Sequence, residues 1–194
     1  GTGDAQFQPM FLTLETFLDW SKAVAPESDT VQKLLANYLP GPVGVHEEVR
    51  KAFERGPISH RSDMFTADFR STKRLLCDLT QAAHVEIMLG SGSLANDAVC
   101  AQIKLLNQPG LILSNGEFGE RLVDHATRQG LQFEVHRKDW GQPFDFAELR
   151  DLLKANPQMA WVWGVHCETS TGVLNDLPTL KALAAERGAK LCLD

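Results

Sequence analysis

The sequence lacks the long apolar runs and the basic clusters that mark membrane proteins and nucleic-acid-binding proteins. No apolar stretch approaches the roughly 18 residues that a membrane-spanning helix needs. The 19 Lys and Arg residues stand against 25 Asp and Glu residues, which gives a net charge of −6, and no Lys/Arg run occurs. An acidic balance without a basic patch disfavours nucleic-acid binding through bulk charge. We therefore expect neither a membrane nor a nucleic acid as a partner.

Paired cysteines are missing as well. The four cysteines, Cys77, Cys100, Cys167 and Cys192, form no C-x-x-C pair. His166 is adjacent to Cys167, but no other Cys/His pair has the spacing of zinc ligands, so no metal site is expected. The N-terminus shows no basic region followed by an apolar one, as a secretory signal would. These features predict free thiols and a cytoplasmic location.

What the sequence does contain is a regular alternation of apolar strands and amphipathic helices. Residues 1–45 are predicted to form a helical N-terminal arm that ends near a Pro-Gly-Pro turn. Beyond it, strands are predicted over residues 84–89, 111–113, 131–135, 159–165 and 189–193, with helices between them. This order predicts an α/β fold with a mostly parallel sheet flanked by helices. Ligands of such sheets bind at the carboxyl ends of the strands.

A turn of small residues, residues 90–93 (GSGS), follows the first predicted strand and opens a helix. Free backbone N–H groups and the positive end of the helix dipole suit such a turn to phosphate, and Ser91 and Ser93 add hydroxyl donors. The turn also matches part of a dinucleotide fingerprint, but the acid expected at the end of the next strand is missing. The alternative is a tight turn that binds nothing.

Further polar loops follow the later predicted strands. Residues 115–121 (NGEFGER) place Phe118 between two glycines, where its ring either stacks on a planar ligand or folds back into the core. Residues 166–172 (HCETSTG) carry three hydroxyls and an acid, which either bind a ligand or bond to their own backbone. Asp194 ends the last apolar strand. Arg61, before a predicted helix, is either an anion clamp or an ordinary surface residue.

Taken in order, these motifs resemble class V aminotransferases of fold type I, in particular the alanine/serine–glyoxylate (pyruvate) aminotransferase group. The set also includes the Pro-Gly-Pro turn at residues 40–42 and the SHRS stretch at residues 59–62. The resemblance covers about residues 38–194. It implies that residues 46–194 are an incomplete large domain that binds pyridoxal 5′-phosphate. It also implies a homodimer that acts on a small amino acid and a 2-oxo acid.

The resemblance implies that six residues bind the cofactor: Ser91, Gly92, Ser93, Phe118, Thr169 and Asp194. In that family the small-residue loop holds the phosphate, the aromatic residue stacks on the pyridine ring, and the hydroxyl of the residue matched by Thr169 contacts the phenolic oxygen. Asp194 would pair with the pyridine nitrogen. A carboxylate there keeps the nitrogen protonated, so that the ring can accept electrons.

The family's Schiff-base lysine and its substrate-binding arginine correspond to positions beyond Asp194. We therefore expect this chain to be the N-terminal part of a longer aminotransferase, inactive alone, whose reading frame supplies the lysine on a later strand. Gly41 and Arg61 are the expected substrate contacts within this chain. Two alternatives stay open: a nicotinamide-dinucleotide-binding oxidoreductase domain, and a truncated chain without catalytic competence.

Overall fold

The computed structural model describes residues 44–194, so nearly all of the predicted helical arm lies outside the described residues. The chain divides into two compact units, residues 1–68 and 69–194. In the described part of the first unit, helix α1 (Glu47–Ala52) follows its N-cap residue, His46. The His46 ring accepts a hydrogen bond from the backbone N–H of Glu48, in the first turn of α1.

Helix α2 (Asp63–Thr80) begins at the end of the first unit and continues into the second. The hydroxyl of Ser62 accepts a hydrogen bond from the Phe65 N–H at 3.2 Å. This bond satisfies one of the N–H groups that the first turn of a helix leaves without a partner.

The second unit alternates helices with strands, in the order α3 (Gly92–Leu105), β1 (Gly110–Ser114), α4 (Glu117–Gln129), β2 (Phe133–Arg137), α5 (Phe146–Ala155), β3 (Trp161–Gly164), β4 (Cys167–Glu168), β5 (Val173–Leu174), α6 (Leu177–Glu186) and β6 (Lys190–Leu193). Strands β2, β1, β3 and β6 lie side by side in that order, and each neighbouring pair is parallel. Strands β4 and β5 form a separate antiparallel pair. The predicted α/β fold with a mostly parallel sheet is confirmed.

The sheet is covered by helices on both faces. Every residue of β1 is buried, as expected for a parallel strand between two helical layers. Because successive side chains of a strand point to opposite faces, Leu111 and Leu113 pack with the apolar side chains of α5 and α6. Ile112 packs in the opposite direction, with apolar residues of α3 and α4 and with Trp161 and Trp163 of β3.

The predicted strand over residues 84–89 is wrong: this segment has no regular secondary structure and is mostly exposed. A strand needs a neighbour for its backbone N–H and C=O groups, and no strand within the described residues pairs with this one. An apolar cleft of about 680 Å³ separates its residues Glu86 and Met88 from Lys190 and Cys192 on the edge strand β6, beneath α3. The segment has apolar residues at alternate positions, but the partner that a strand requires is not among the described residues.

Three observations bear on the expectations drawn from composition. No described helix combines the length and the apolar character that crossing a bilayer demands. All four cysteines are free, and burial raises the pKa of the Cys100 thiol to about 11. Within residues 44–194, no group of three or more His, Cys, Asp or Glu side chains is arranged to hold a metal ion.

We predict that Gly110→Ala destabilises the fold. Gly110 pairs with Trp161 across the sheet, and a Cβ added at Gly110 would lie 2.0 Å from the fully buried Trp161 ring. Because that indole also donates a hydrogen bond to the Gln108 carbonyl at 3.0 Å, it has little freedom to move. We expect a loss of about 1–3 kcal/mol in the free energy of unfolding, measured in urea.

Gly164→Ala is the matched control, because a Cβ there would meet its nearest neighbour, Leu113, at 3.4 Å. That distance is ordinary van der Waals contact, so this substitution should be neutral or stabilise the fold by up to about 1 kcal/mol. Equal losses for the two variants would contradict the steric explanation.

Candidate active site

The carboxyl edge of the sheet gathers the loops in which site residues were predicted. The Asp194 N–H donates to the Gly164 carbonyl at 3.0 Å, and the His166 N–H donates to the Asp194 carbonyl at 3.0 Å. These bonds continue the β3–β6 pairing beyond the strands themselves. The end of β6, with Asp194, therefore lies directly beside the start of the loop of residues 166–172.

The same loop is joined to the N-terminus of α4 through Glu168, whose side chain is fully buried. Its carboxylate accepts hydrogen bonds from the Gly119 N–H at 3.0 Å and the Phe118 N–H at 3.4 Å. The Glu168 carboxylate also accepts two hydrogen bonds from Ser170, one from its backbone N–H at 3.3 Å and one from its hydroxyl. The hydroxyl oxygen of Ser170 in turn accepts a hydrogen bond from the Glu117 N–H at 3.0 Å. The loop after β3 and the first turn of α4 are thus one hydrogen-bonded structure.

The two glycines beside Phe118 are explained by close approach. A Cβ at Gly116 would lie 2.5 Å from the Glu168 side chain, and a Cβ at Gly119 would lie 2.7 Å from the Ser114 backbone. Gly116 therefore leaves room for the buried carboxylate, and Gly119 lets α4 begin directly against the end of β1. The GEFG sequence predicted a loop at the ligand edge, and these distances show why the loop needs both glycines.

The sequence left two alternatives for the Phe118 ring, stacking on a planar ligand or packing into the core, and the structure shows features of both. Its ring is partly buried and packs against the apolar cluster beneath α3 and α4. The guanidinium carbon of Arg121 lies 4.9 Å from the ring centroid, within the range of a cation–π contact.

Thr169 is exposed between Glu168 and Ser170, both of which are held by hydrogen bonds.

Helix α3 begins at this same edge. Its contacts with α4 follow in parallel order, because Asp97 Oδ1 lies 2.6 Å from His125 Nδ1 and, further along, Lys104 Nζ donates to the Gln129 carbonyl. Since α4 begins at the carboxyl edge of the sheet, the N-terminus of α3 points to that edge too. The turn with Ser91, Gly92 and Ser93 is therefore on the correct side of the sheet for the predicted role.

The N-terminus of α3 has no side-chain cap within the described residues. Ser91, at the N-cap, makes no capping hydrogen bond, and the space beside the Gly92 Cα is open to at least 4 Å. By contrast, carboxylates satisfy the first turns of α4, α5 and α6, from Glu168, Asp145 and Asp176 respectively. The positive end of the α3 dipole is thus available to an anion.

Gly41 and Arg61, the predicted substrate contacts, both belong to the first unit, which is described by itself. Gly41 lies outside the described residues. Arg61 is exposed in the turn before α2, where its N–H donates to the Ser59 hydroxyl at 3.2 Å. It belongs to the first unit, so its role toward a substrate stays a prediction.

A buried pair of amides was missed by the sequence analysis. Asn115 and Asn175 are almost fully buried and share a hydrogen bond of 3.0 Å. Asn115 also donates to the Gln142 carbonyl at 3.0 Å, and Asn175 donates to the Val165 carbonyl at 2.9 Å. The pair ties together the segments that follow β1, β3 and β5. Nothing in the sequence indicates that these two asparagines, which are 60 residues apart, contact each other.

Comparison with known proteins supports the resemblance that the motifs indicated. The chain is 36% identical over 161 residues to the soluble hydrogenase 42 kDa subunit of Anabaena cylindrica, an alignment that covers 80% of this chain and 41% of that protein. It is 29% identical over 157 residues to the 2-aminoethylphosphonate–pyruvate transaminase of Pseudomonas fluorescens, covering 80% and 42%. No family model matches the chain.

Among solved structures, the chain resembles alanine–glyoxylate aminotransferase from Nostoc sp., with a TM-score of 0.68 and 32% identity. That match covers 87% of this chain and 48% of the other. The resemblance to class V aminotransferases of fold type I is confirmed, and enzymes of this class depend on pyridoxal phosphate. The chain spans less than half the length of these relatives.

The second acid of the NGEFGER motif supports a pH-dependent prediction. Glu120 accepts hydrogen bonds from Arg137 at 2.9 Å and from the Ser114 hydroxyl at 2.7 Å. The Arg137 guanidinium, followed by the Ser114 hydroxyl, holds the pKa of the Glu120 carboxyl below its ordinary value. A carboxyl whose pKa is lower in the folded state stabilises the fold above its unfolded pKa, and this contribution disappears as the pH falls through the folded pKa.

We therefore expect Glu120→Gln to lower the free energy of unfolding at pH 7 by a few tenths to about 1 kcal/mol, since the pair is partly exposed. The difference from the original chain should shrink as the pH is lowered toward the acidic limit of the folded state. Urea unfolding at a series of pH values measures it. In an Arg137→Met background the same substitution should have a smaller effect, because only the Ser114 hydroxyl then still donates to Glu120, and an undiminished effect there would contradict the assigned cause.

Proposed function

We propose that residues 46–194 are an incomplete pyridoxal-phosphate-binding large domain. The whole protein would be an aminotransferase that moves an amino group between a small amino acid and a 2-oxo acid of the glyoxylate or pyruvate type. The observation that carries the proposal is the convergence of separate sequence motifs on one sheet edge. The uncapped start of α3, the Phe118 loop, the Thr169 loop and Asp194 all reach the carboxyl ends of the parallel strands.

The groups at this edge match the cofactor in chemical type. The free N–H groups at the start of α3, with the hydroxyls of Ser91 and Ser93, suit a dianionic phosphate. Phe118 offers an aromatic ring for stacking, and Thr169 offers an exposed hydroxyl for an anionic oxygen. Asp194 would hold a proton on the pyridine nitrogen. Once bound, the cofactor supplies an electron sink for chemistry at the amino acid's α-carbon.

The relatives support the reaction class. The transaminase from Pseudomonas and the aminotransferase from Nostoc carry pyruvate and glyoxylate in their names, which fits the proposed type of amino acceptor. We further propose a cytoplasmic homodimer, consistent with free thiols and with the family resemblance. Within this proposal Gly41 and Arg61 contact the substrate, and the lysine that holds the cofactor lies in the remainder of the longer protein.

The incomplete domain is supported by the state of the sheet edge. Strand β6 pairs only with β3 among the described strands, and the apolar cleft beside it is large enough to hold many side chains. The relatives are more than twice as long as the aligned part of this chain. In this proposal further chain extends the sheet from β6 and covers the cleft.

The dinucleotide alternative is less favoured. A ribose-binding fold of that kind needs an acid at the end of the strand after the glycine turn. Here β1 ends at Ser114, and the next residue, Asn115, is buried in the amide network. The proposed function accounts for the 166–172 loop and Asp194, which the dinucleotide function leaves without a role.

The first test is cofactor binding by the chain itself. We expect pyridoxal phosphate to bind without a covalent bond and inorganic phosphate to compete with it, both measured by changes in cofactor absorbance and fluorescence. Removing both hydroxyls of the turn, with Ser91→Ala and Ser93→Ala together, should weaken binding about tenfold or more, because hydrogen bonds to charged groups contribute about 1.5–3 kcal/mol each.

Thr127→Ala is the matched control, because it removes a hydroxyl near the other end of α4, where Thr127 donates to the Val123 carbonyl. Binding should be unchanged in this variant. A chain that does not bind the cofactor, or binding that both variants weaken equally, would count against the proposed phosphate site.

The second test concerns Asp194→Asn in the longer protein. The amide cannot stabilise a protonated pyridine nitrogen by charge, whereas the phosphate and ring contacts remain. We expect binding to weaken slightly and the rate of amino-group transfer to fall at least about tenfold, from the loss of a charge-assisted bond of about 1.5–3 kcal/mol. The measurement compares transfer rates at equal cofactor saturation. An unchanged rate would show that Asp194 is not the partner of the ring nitrogen.

A further inference from the structure

Glu168 occupies an unusual place for a charged side chain. It is fully buried at the end of the two-residue strand β4, yet its carboxylate lies against the first turn of α4. Among the described residues, all partners of its side chain donate: the N–H groups of Phe118 and Gly119, and the N–H and hydroxyl of Ser170. A buried carboxylate is tolerated when hydrogen-bond donors satisfy it, and the positive end of a helix dipole adds to that stabilisation.

The carboxylate replaces a cap that α4 lacks. The residue at the N-cap, Gly116, has no side chain with which to accept hydrogen bonds from the first turn. Helices α5 and α6 are capped locally, since Asp145 and Asp176 bond to N–H groups two or three residues ahead. Glu168, in contrast, reaches α4 from 49 residues away in sequence.

A local cap fixes only the start of its own helix, whereas a remote cap fixes one segment relative to another. Here the segments joined are the loop after β3 and the turn that carries Phe118. The close fit leaves little freedom, because even a Cβ at Gly116 would collide with Glu168. The bond to the Phe118 N–H acts on the residue whose ring is proposed to stack on the cofactor.

We propose that Glu168 is the positioning residue of this site. Its buried carboxylate sets the position of the Phe118 ring by holding the N-terminus of α4 to the loop of residues 166–172. This inference rests on the proposed function for the stacking role of Phe118. The anchoring of α4 by Glu168 does not depend on any cofactor, and the two parts can be tested separately.

The first measurement needs no cofactor. Glu168→Gln keeps the shape of the side chain, but it removes the charge and turns one acceptor into a donor that faces other donors. We expect the Phe118 and Gly119 amides to exchange with solvent at least about tenfold faster in this variant, as the loss of bonds to a charged group implies. Amide exchange followed by NMR measures this.

Glu186→Gln serves as the control, because Glu186 forms an exposed ion pair with Arg150 on another part of the fold. Exchange at Phe118 and Gly119 should be unchanged in this variant. Unchanged exchange in Glu168→Gln itself would overturn the anchoring role. Should Glu168→Gln fail to fold, Ser170→Ala keeps the carboxylate but removes its hydroxyl donor, and it should give the same local change at smaller amplitude.

The second measurement asks whether Glu168 acts through Phe118. Pyridoxal phosphate affinity is compared in the original chain, Glu168→Gln, Phe118→Leu and the double variant. We expect each single variant to bind several-fold more weakly and the double variant to bind like Phe118→Leu alone, because residues that act through one contact are not additive. If Glu168 had only a structural role, Glu168→Gln would weaken binding by the same factor with and without Phe118→Leu. That result would overturn the proposal.

The circular dichroism of the bound cofactor gives a further readout. At full saturation, Glu168→Gln should lower the cofactor signal per bound molecule, since a less firmly held ring fixes the cofactor less well. An unchanged signal would contradict the positioning role. If the original chain binds no pyridoxal phosphate, the proposed function fails, while the exchange measurement still decides whether Glu168 anchors α4.

Discussion

The parallel pairing of β1, β3 and β6 is the constraint on which the rest of this structure depends. Gly110, Trp161 and Lys190 lie in register across these strands, so the strands end together at one edge. Each loop that leaves a strand therefore starts beside the next loop, however far apart the loops are in sequence. The backbone bonds between His166, Asp194 and Gly164 extend this alignment past the strands and into the candidate site.

The electrostatics of the helix termini follow from the same arrangement. The helices α3 and α4 begin at the carboxyl edge, so their partial positive charges converge there. At α4 this charge is met by the carboxylate of Glu168, whereas at α3 no described side chain meets it. One edge thus contains a helix terminus whose first N–H groups, including that of Phe118, are satisfied by a carboxylate, and an open terminus suited to an anion. Under the proposed function, the phosphate of the cofactor would lie at the open terminus and its ring beside Phe118.

The sequence predicted the parts of the fold that depend on local pattern. The predicted strand over residues 111–113 is found as β1, and helices lie between the strands, because apolar spacing is a local property. The Asp145 cap of α5 and the left-handed Gly130 that ends α4 are equally local, because a capping side chain and the conformational freedom of glycine each act on their own helix. The segment over residues 84–89 has the same apolar pattern and forms no strand, because pairing is not a local property.

The candidate site divides in the same way. The turn at residues 90–93 was recognisable because small residues open a helix there, and the loop around Phe118 because its glycines follow the end of strand β1. The roles of Glu168 and of the Asn115–Asn175 pair could not be predicted, since each depends on a partner about 50 or more residues away in sequence. A buried acid and a solvated acid look alike in a sequence until the residue that satisfies them is known.

The position of Asp194 links the chemistry of the site to the completeness of the sheet. Its backbone is held on one side by Gly164 and His166, while β6 is an edge strand of the described sheet and borders a wide apolar cleft. Phe118, by contrast, sits on a helix fixed from both β1 and the loop after β3. A carboxylate that must meet a ring nitrogen needs a placement as firm as that of the ring itself. Under the proposed function, a firmly placed β6 edge is therefore a condition for catalysis, whereas the residues proposed to contact the phosphate and the ring all lie within this chain.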